Sequence, residues 1–397
     1  MTIKNPYRPG AGFQPPHLAG RCEEIKVFEG LLEQEEILKN MLITGLRGVG
    51  KTVLLEYLKP IAISKKWFWV GSDWSESASI SEDNLAIRIL TDLSLITSNI
   101  VIKKEQAVGF YNTDKFSESY LTYDTLMALF QQIPGLTSDK LRTILEFVWS
   151  LVKDSGKGII FAYDEAQFMA DYASKEQYPL AVMLEVFQSI QRKGVRFMLV
   201  LVGLPTLVTK LVAARTYAER MFNITTLGKL DDKHSRDAIL IPLKKESSSL
   251  GFTDDSVNLI IKTSDGYPYF IQFICREVFD IFIQRMNEGQ SVGSVPMNEI
   301  VAKLDRDFFV ARWNKATDRQ KELLSLIANL DSAGGQFTIQ EIVESAKKLQ
   351  KPFGTSHVNQ MLGTLINAGL IYKDKHGQYC FAVPLLADYI KRHPETI

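Results

Sequence analysis

The chain is poor in the residues that make metal sites and covalent cross-links. Its 397 residues include three cysteines, Cys22, Cys275 and Cys380, which lie far apart and form no Cys-x-x-Cys pair. This sparse, odd count argues against a disulfide framework. The five histidines form no His-x-x-x-His pair, which argues against a zinc site.

Net charge and long apolar runs are also missing. The 46 Lys and Arg residues balance 46 Asp and Glu residues, which excludes a generally basic protein that coats nucleic acid but leaves a local basic patch open. The longest apolar stretch, residues 197–208, is interrupted by Gly203 and Pro205 and is too short to cross a bilayer. The first 14 residues lack the apolar run of a signal peptide. We therefore expect a cytoplasmic protein without a membrane segment.

The first 230 residues alternate short apolar runs with helical patterns. Continuous apolar runs of this kind are typical of strands buried on both faces, as in a parallel sheet. Residues 105–137 are aromatic, polar and irregular and give no clear prediction. We predict an α/β fold with a three-layer core around a parallel sheet. The predicted strands are residues 41–44, 67–70, 158–163, 196–202 and 223–230.

The pattern becomes helical beyond residue 230 and changes again near the carboxyl end. Three helical stretches are followed by a linker at residues 287–296, rich in Gly, Ser and Pro. Further on, helices at residues 318–330, 339–349 and 358–366 precede a hairpin around residues 373–377, which is the winged-helix pattern. The predicted domains are a core at 1–230, a helical lid at 231–297, and a connector helix with a winged-helix domain at 298–397.

A phosphate-binding loop (P-loop) follows the first predicted strand. Residues 45–52 match G-x-x-x-x-G-K-[ST] between an apolar strand and an amphipathic helix. Glycines let successive main-chain N–H groups point at phosphate oxygens, and the helix N-terminus adds partial positive charge. Lys51 is predicted to reach the β- and γ-phosphates, and the Thr52 hydroxyl to hold Mg²⁺. The predicted nucleotide-binding residues here are Gly45, Gly48, Val49, Gly50, Lys51, Thr52 and Val53.

Two carboxylates end the apolar strand at residues 158–163. Asp164 and Glu165 follow it directly. A Mg²⁺-dependent nucleoside triphosphatase needs one carboxylate to hold the metal and one to orient and polarise the attacking water. We assign the first role to Asp164 and the second to Glu165. The pair favours hydrolysis over binding alone.

These residues resemble the AAA+ and STAND classes of P-loop ATPases, particularly archaeal and bacterial ATPases related to replication initiators. Residues 15–21 look like the family's adenine-contacting segment, which implies that Arg21 contacts the nucleotide. Gly266-Tyr267-Pro268 looks like the glycine-x-proline signature of STAND lids, which implies a nucleotide contact at Pro268. Residues 196–202 look like the sensor-1 strand. The resemblance implies a P-loop NTPase core, ATP and Mg²⁺ as cofactors, and ATPase activity. Slow turnover is compatible with this resemblance.

The sequence departs from the AAA+ pattern at two positions. Tyr269 stands where AAA+ lids usually carry the sensor-2 arginine, which favours the STAND-like class. The sensor-1 strand has no Asn at its tip, and Thr206 is the candidate replacement.

Arg220, just before the last predicted strand of the core, matches the place of an arginine finger, which in related ATPases reaches a neighbouring subunit's γ-phosphate. Arg215 is the second choice. The alternative for Arg220 is a surface arginine or an ion pair with Glu219 or Asp231.

Two functions remain open at this stage. In one, nucleotide gates assembly with a protein partner or a second copy of the chain. In the other, the winged helix binds DNA and ATP drives loading or remodelling. Residues 315–397 carry ten Lys or Arg against eight Asp or Glu, a weak positive balance for a DNA-binding module. The predicted helix at residues 358–366 presents polar groups, among them Asn359 and Gln360, that could read adenine.

Overall fold

The computed structural model describes residues 4–10, 12–105, 116–245, 251–347, 351–375 and 377–394. Most of the predicted elements are present with shifts of a few residues at their ends. Within these ranges, no helix is long and apolar enough to cross a membrane. The strands are β1 (Asn40–Gly45), β2 (Trp67–Val70), β3 (Val101–Glu105), β4 (Phe116–Tyr120), β5 (Gly158–Tyr163), β6 (Phe197–Gly203), β7 (Phe222–Leu227), β8 (Phe337–Thr338), β9 (Ile371–Lys375) and β10 (Gln378–Phe381).

Helices account for most of the remaining described chain. They are α1 (Cys22–Leu32), α2 (Lys51–Ser64), α3 (Glu82–Thr97), α4 (Tyr123–Gln132), α5 (Thr137–Val152), α6 (Pro179–Gln191), α7 (Thr206–Ala214), α8 (Ala218–Met221), α9 (Asp232–Lys245), α10 (Asp254–Ser264), α11 (Pro268–Asn287), α12 (Met297–Leu304), α13 (Val310–Trp313), α14 (Asp318–Ala328), α15 (Ile339–Ala346), α16 (Thr355–Asn367) and α17 (Leu386–Arg392). A π-helical turn, Asp305–Phe309, joins α12 to α13.

Contacts divide the chain into two compact units. One contains residues 22–44 and 54–226, which include the main sheet. The other contains residues 1–21, 45–53 and 227–397, which include the P-loop and the carboxyl-terminal helices.

A five-stranded sheet forms the centre of the first of these units. Its strand order is β2-β5-β6-β1-β7, and β2, β5, β6 and β1 run parallel to their neighbours. Every residue of β1, β5 and β6 is buried. Because successive side chains of a strand point to opposite faces, both faces of the sheet are covered. The predicted α/β core with a parallel sheet is therefore confirmed.

Aromatic side chains fill the layer between the sheet and its helices. The ring of Phe161 on β5 lies 5.1 Å from that of Phe187 on α6 and 5.6 Å from that of Phe197 on β6. All three are fully buried. Large side chains from two adjacent strands and from the helix that covers them pack together here. The apolar strands predicted from the sequence therefore form the central layer of the core.

The irregular region at residues 105–137 contains more regular structure than the sequence suggests, although residues 106–115 lie outside the described residues. Strands β3 and β4 pair antiparallel. Helix α4 begins after Thr122, whose side chain caps the N–H of Thr125, and it buries Leu126 and Phe130. Tyr123, Met127 and Leu129 pack partly buried against the same core cluster, so α4 has an apolar face that the sequence analysis did not identify.

The second unit packs three helices and a carboxyl-terminal module around one apolar cluster. Phe270 on α11 lies 6.1 Å from Phe309, and Phe309 stacks on Tyr389 at 5.2 Å. Trp313 meets Tyr389 at 6.2 Å. The ring of Phe309 thus lies between those of Phe270 on α11 and Tyr389 on α17.

The carboxyl-terminal module combines α14, α15 and α16 with a three-stranded sheet of order β8-β10-β9. Strand β10 pairs antiparallel with both neighbours. The side chain of Thr317 caps the N-terminus of α14 and that of Thr338 caps the N-terminus of α15, each in a capping box. These local signals place helix starts where the sequence predicts them.

Candidate functional site

The P-loop joins the buried strand β1 to helix α2, which begins at Lys51. Gly45, Gly48 and Gly50 have φ values of +156°, +79° and +90°. These are angles that L side chains rarely adopt. A Cβ at Gly45 would also lie 2.5 Å from the carbonyl oxygen of Leu227. The glycines are therefore required by backbone geometry, as a phosphate cradle demands.

The Lys51 ammonium lies inside this loop. Its Nζ donates hydrogen bonds to the carbonyl oxygens of Gly45, at 3.0 Å, and Leu46, at 2.9 Å. Val49 is buried at the turn, and Thr52 is the second residue of α2. A positive charge and the N-terminus of a helix thus meet within one short segment, which is the electrostatic setting that binds phosphate.

Residues distant in sequence hold the loop from outside. Arg21 is 6% exposed, and its Nη2 donates to the carbonyl oxygens of Val49, at 3.0 Å, and Gly228, at 2.8 Å. Gln14 Nε2 donates to the carbonyl oxygen of Val53 at 2.7 Å. The guanidinium of Arg21 therefore supports the main chain of the P-loop. The sequence did not indicate Gln14, because only its partner 39 residues away gives it a role.

The Gly266-Tyr267-Pro268 turn reaches the P-loop through its next residue. Gly266 has φ +71°, and its carbonyl oxygen accepts from the N–H of Leu230 at 2.8 Å. Pro268 occupies the first turn of α11, where a missing N–H costs nothing. The N–H of Tyr269 donates to the carbonyl oxygen of Gly48 at 3.1 Å. The N-terminus of α11 thus contacts the P-loop through its main chain.

The side chain of Tyr269 faces the connector. Its ring lies 5.3 Å from that of Phe308, and burial raises the pKa of its hydroxyl. Tyr269 is therefore a packing residue with a neutral side chain.

The acidic pair lies directly after β5. Asp164 is 4% exposed; its Oδ1 accepts from the N–H of Glu165 at 2.7 Å, and its carbonyl oxygen accepts from the N–H of Trp74 at 2.8 Å. Glu165 has φ +51°, a strained left-handed conformation for a non-glycine residue. Because β1, β5 and β6 run parallel, Thr44 at the end of β1 and Asp164 belong to the same edge of the sheet.

A buried polar network supports the end of β5. The Tyr163 hydroxyl donates to Asp92 Oδ2 at 2.9 Å, and Arg88 Nε donates to the same oxygen at 3.0 Å. Burial raises the pKa of Asp92 despite the nearby Arg88, and burial together with the Asp92 charge raises the pKa of Tyr163. The residue before Asp164 is thereby tied to α3.

Two sequence comparisons give matches to this chain. A family model described as a domain of unknown function (DUF8462) matches residues 306–390. A protein of Methanocaldococcus jannaschii, described as an uncharacterized HTH-type transcriptional regulator, is 24% identical over 375 residues, covering 90% of this chain and 84% of that protein.

Solved structures give the fold. A Walker-type ATPase of Pyrococcus abyssi superposes with a TM-score of 0.59 at 16% identity, covering 95% of this chain and 97% of the other. The ORC2 protein of Aeropyrum pernix in its ADP form gives 0.56 at 15% identity, covering 98% and 97%. This chain has the fold of a Walker-type P-loop ATPase. At these identities the likeness concerns the fold.

Two arginines of the P-loop ATPase fold were candidates for an arginine finger. Arg215 Nη2 lies 3.1 Å from Glu185 Oε2, so its charge is used within the chain. Arg220 on α8 is exposed, and within the described ranges it forms no ion pair. Among the described residues the alternative ion pair with Glu219 or Asp231 is therefore absent, and the exposure of Arg220 fits both a surface arginine and an arginine finger.

Helix α16 presents the polar face that the sequence indicates. Its polar residues Ser356, His357, Asn359 and Gln360 are exposed, whereas Val358, Met361, Leu362 and Leu365 are buried. The basic residues Lys347, Lys351 and Lys373 are exposed, and Lys348 lies outside the described residues.

Proposed function

We propose that this chain binds ATP with Mg²⁺ at its P-loop and hydrolyses the γ-phosphate. The observation that carries the proposal is the P-loop itself. Its three glycines have backbone angles reserved for glycine, and the ammonium of Lys51 lies within the loop. No Asn-Lys-x-Asp sequence, the guanine-reading motif, occurs in the chain, which favours adenine.

The oxygen atoms present fit Mg²⁺. This ion prefers oxygen ligands and is usually bound by one or two carboxylates together with substrate phosphates. Asp164 and Thr52 supply such oxygens, and Asp164 already accepts an N–H at one of them. Bound Mg²⁺ would neutralise charge on the transferring phosphoryl group.

The remaining roles follow from charge and position. Lys51 neutralises the β- and γ-phosphates, and Glu165 accepts a proton from the attacking water. Arg220 supplies positive charge to the γ-phosphate of a neighbouring copy. Arg21 and Pro268 set the loop and lid that contact the nucleotide.

The division into a core at 1–230, a lid at 231–297 and a winged-helix domain at 298–397 is part of the proposal. The cytoplasmic location also stays a prediction.

Equilibrium ATP binding and steady-state hydrolysis test this proposal in four proteins. Lys51→Ala removes charge-assisted bonds worth about 1.5–3 kcal/mol each, so we expect ATP affinity to fall at least about 10-fold. Glu165→Gln should bind ATP normally and lose turnover. Lys59→Ala, an exposed lysine on the same helix, is the matched control and should behave like the wild type. A wild-type chain that retains no ATP with Mg²⁺ would refute the proposal.

For the biological role we propose a nucleotide-driven switch that assembles with a protein partner or with a second copy. Support comes from the neutral Tyr269 in the lid and from the near-balanced charge of the carboxyl-terminal module. The exposed Arg220 fits a subunit contact. Sedimentation with ATP, with ADP and without nucleotide tests it. If the sedimenting mass is the same with ATP, with ADP and without nucleotide, both for the chain alone and with its purified partner, the proposed nucleotide-driven assembly is contradicted.

A DNA-acting ATPase is the second candidate. The M. jannaschii relative is described as an HTH-type regulator, and α16 exposes polar groups that suit a major groove. We propose the winged-helix arrangement for this module on the basis of its three helices and sheet. DNA binding should weaken steeply with salt. Absence of binding at low salt, with and without ATP, removes this candidate.

A further inference from the structure

We infer that Gln167 is the positioning residue for the Glu165 carboxylate, and that it replaces the polar side chain which the tip of β6 lacks. This inference rests on the proposed function, in which Glu165 is the base. It concerns residues of a single unit, between β5 and α7.

The amide of Gln167 bridges the two strand ends. Its Oε1 accepts from the N–H of Leu204 at 3.0 Å, directly after β6. A main-chain N–H can only donate, so this contact fixes which end of the amide is oxygen. Its Nε2 therefore points to the other side, where it donates to Glu165 Oε2. Gln167 is 7% exposed whereas Glu165 is exposed, so the amide end of the bridge is buried and the carboxylate end is open to solvent.

Gly203 makes room for this bridge. A Cβ at Gly203 would lie 2.7 Å from Gln167 Oε1 and 3.1 Å from the main-chain nitrogen of Gln167. The φ of Gly203 is not in the positive range, so the glycine is needed for space and not for backbone conformation. Any side chain at the tip of β6 would occupy the place of the Gln167 amide. The lack of a side chain at Gly203 and the position of the Gln167 amide therefore have the same steric cause.

Lys210 holds the main chain of the same residue. Its ammonium on α7 donates to the carbonyl oxygen of Gln167, and burial lowers the pKa of this lysine. Gln167 is therefore fixed at its side chain and at its main chain by elements that follow β6. A movement of the β6 loop would reach the Glu165 carboxylate through one amide group.

A bridge of this kind orients the base without touching the substrate. Partners that orient a functional side chain typically contribute about 10–100-fold when removed, as measured for metal ligands. We expect Gln167→Met, which keeps the length and loses both hydrogen bonds, to lower kcat by about that factor. ATP affinity should stay unchanged, because Gln167 is not among the groups proposed to bind phosphate. Gln188→Met on α6, a half-buried glutamine, is the matched control.

Two further variants separate positioning from general damage to the fold. Gly203→Ala leaves Gln167 intact but places a methyl group against its amide, so it should reproduce the loss of kcat with normal ATP affinity. The double variant Gln167→Ala with Gly203→Asn returns an amide to the strand tip and should recover part of the kcat lost in Gln167→Ala.

The outcomes are distinct. A wild type that neither binds nor hydrolyses ATP overturns the proposed function and this inference together. A wild type that turns over, with Gln167→Met or Gly203→Ala equally active, overturns the inference alone. A parallel loss of ATP affinity and kcat in both single variants also overturns it, because it indicates structural damage.

Discussion

The turn that leads into α11 allows a sharp test of the structure, because two glycines share a conformation and differ in their surroundings. Gly266 has φ +71° and Gly289 has φ +69°. A Cβ at Gly266 would lie 2.4 Å from the carbonyl oxygen of Leu230, whereas a Cβ at Gly289 meets nothing within 4 Å. Gly266→Ala and Gly289→Ala therefore impose the same backbone strain, and only the first imposes a clash.

The expected costs follow from these contacts. A left-handed non-glycine residue costs about 1 kcal/mol at either position. At Gly266 the clash also breaks the 2.8 Å bond from the Leu230 N–H and leaves that buried group unpaired, which adds about 1–3 kcal/mol. We expect Gly266→Ala to destabilise the fold by about 2–4 kcal/mol and Gly289→Ala by about 1 kcal/mol.

Thermal unfolding of the full-length variants measures the difference. For a unit of this size each kcal/mol lowers the melting temperature by about 2–4 °C. Gly266→Ala should therefore melt clearly below Gly289→Ala, by at least about 2 °C. Equal melting temperatures for the two variants would refute the close approach of Gly266 to Leu230 and the packing of the turn before α11 derived from it.

Three other variants test separate parts of the molecule. Arg220→Ala should cut turnover by up to about 10³-fold at high protein concentration with ATP affinity intact; unchanged turnover rejects the role in trans. Burial raises the pKa of Asp92, so the folded state favours its protonated form and loses stability as pH rises through that raised pKa. Asp92→Asn should remove this loss and gain stability relative to the wild type between pH 4 and pH 8, read from urea midpoints; a constant difference contradicts it. Tyr7→Phe loses a 2.6 Å bond to the Ile239 carbonyl and should cost about 1 kcal/mol in calorimetry, whereas no loss would place that hydroxyl elsewhere.

The strands of the core could be predicted from sequence because their signal is local. Residues 158–163 form an apolar run that ends at two carboxylates, and β5 has the same bounds. The helices with wide apolar stripes could be predicted for the same reason. Helix α4 was missed because it is only 10 residues long and some of its apolar side chains, Met127 and Leu129, are only partly buried. Periodicity needs several turns before it outweighs the polar residues between them.

In the candidate site, too, the residues with a local sequence signal could be predicted and those with distant partners could not. The P-loop is predictable because glycines, lysine and threonine are neighbours in the chain. Gln14 and Gln167 were missed, because each acts on a partner far along the sequence, at Val53 and Leu204. A glutamine alone carries no sign of such a contact. Gly203 was noted only as the lack of an Asn, and the steric reason for it requires coordinates.

Tyr7 is synthesised long before the residues that it packs against. It is fully buried, it stacks on Phe252 at 6.2 Å, and its hydroxyl bonds a carbonyl 232 residues later. A ribosome adding about 5–20 residues per second makes these partners roughly 12–46 s after the tyrosine. During that interval the ring and hydroxyl of Tyr7 lack their native partners, so this part of the core can form only after the chain has grown past Phe252.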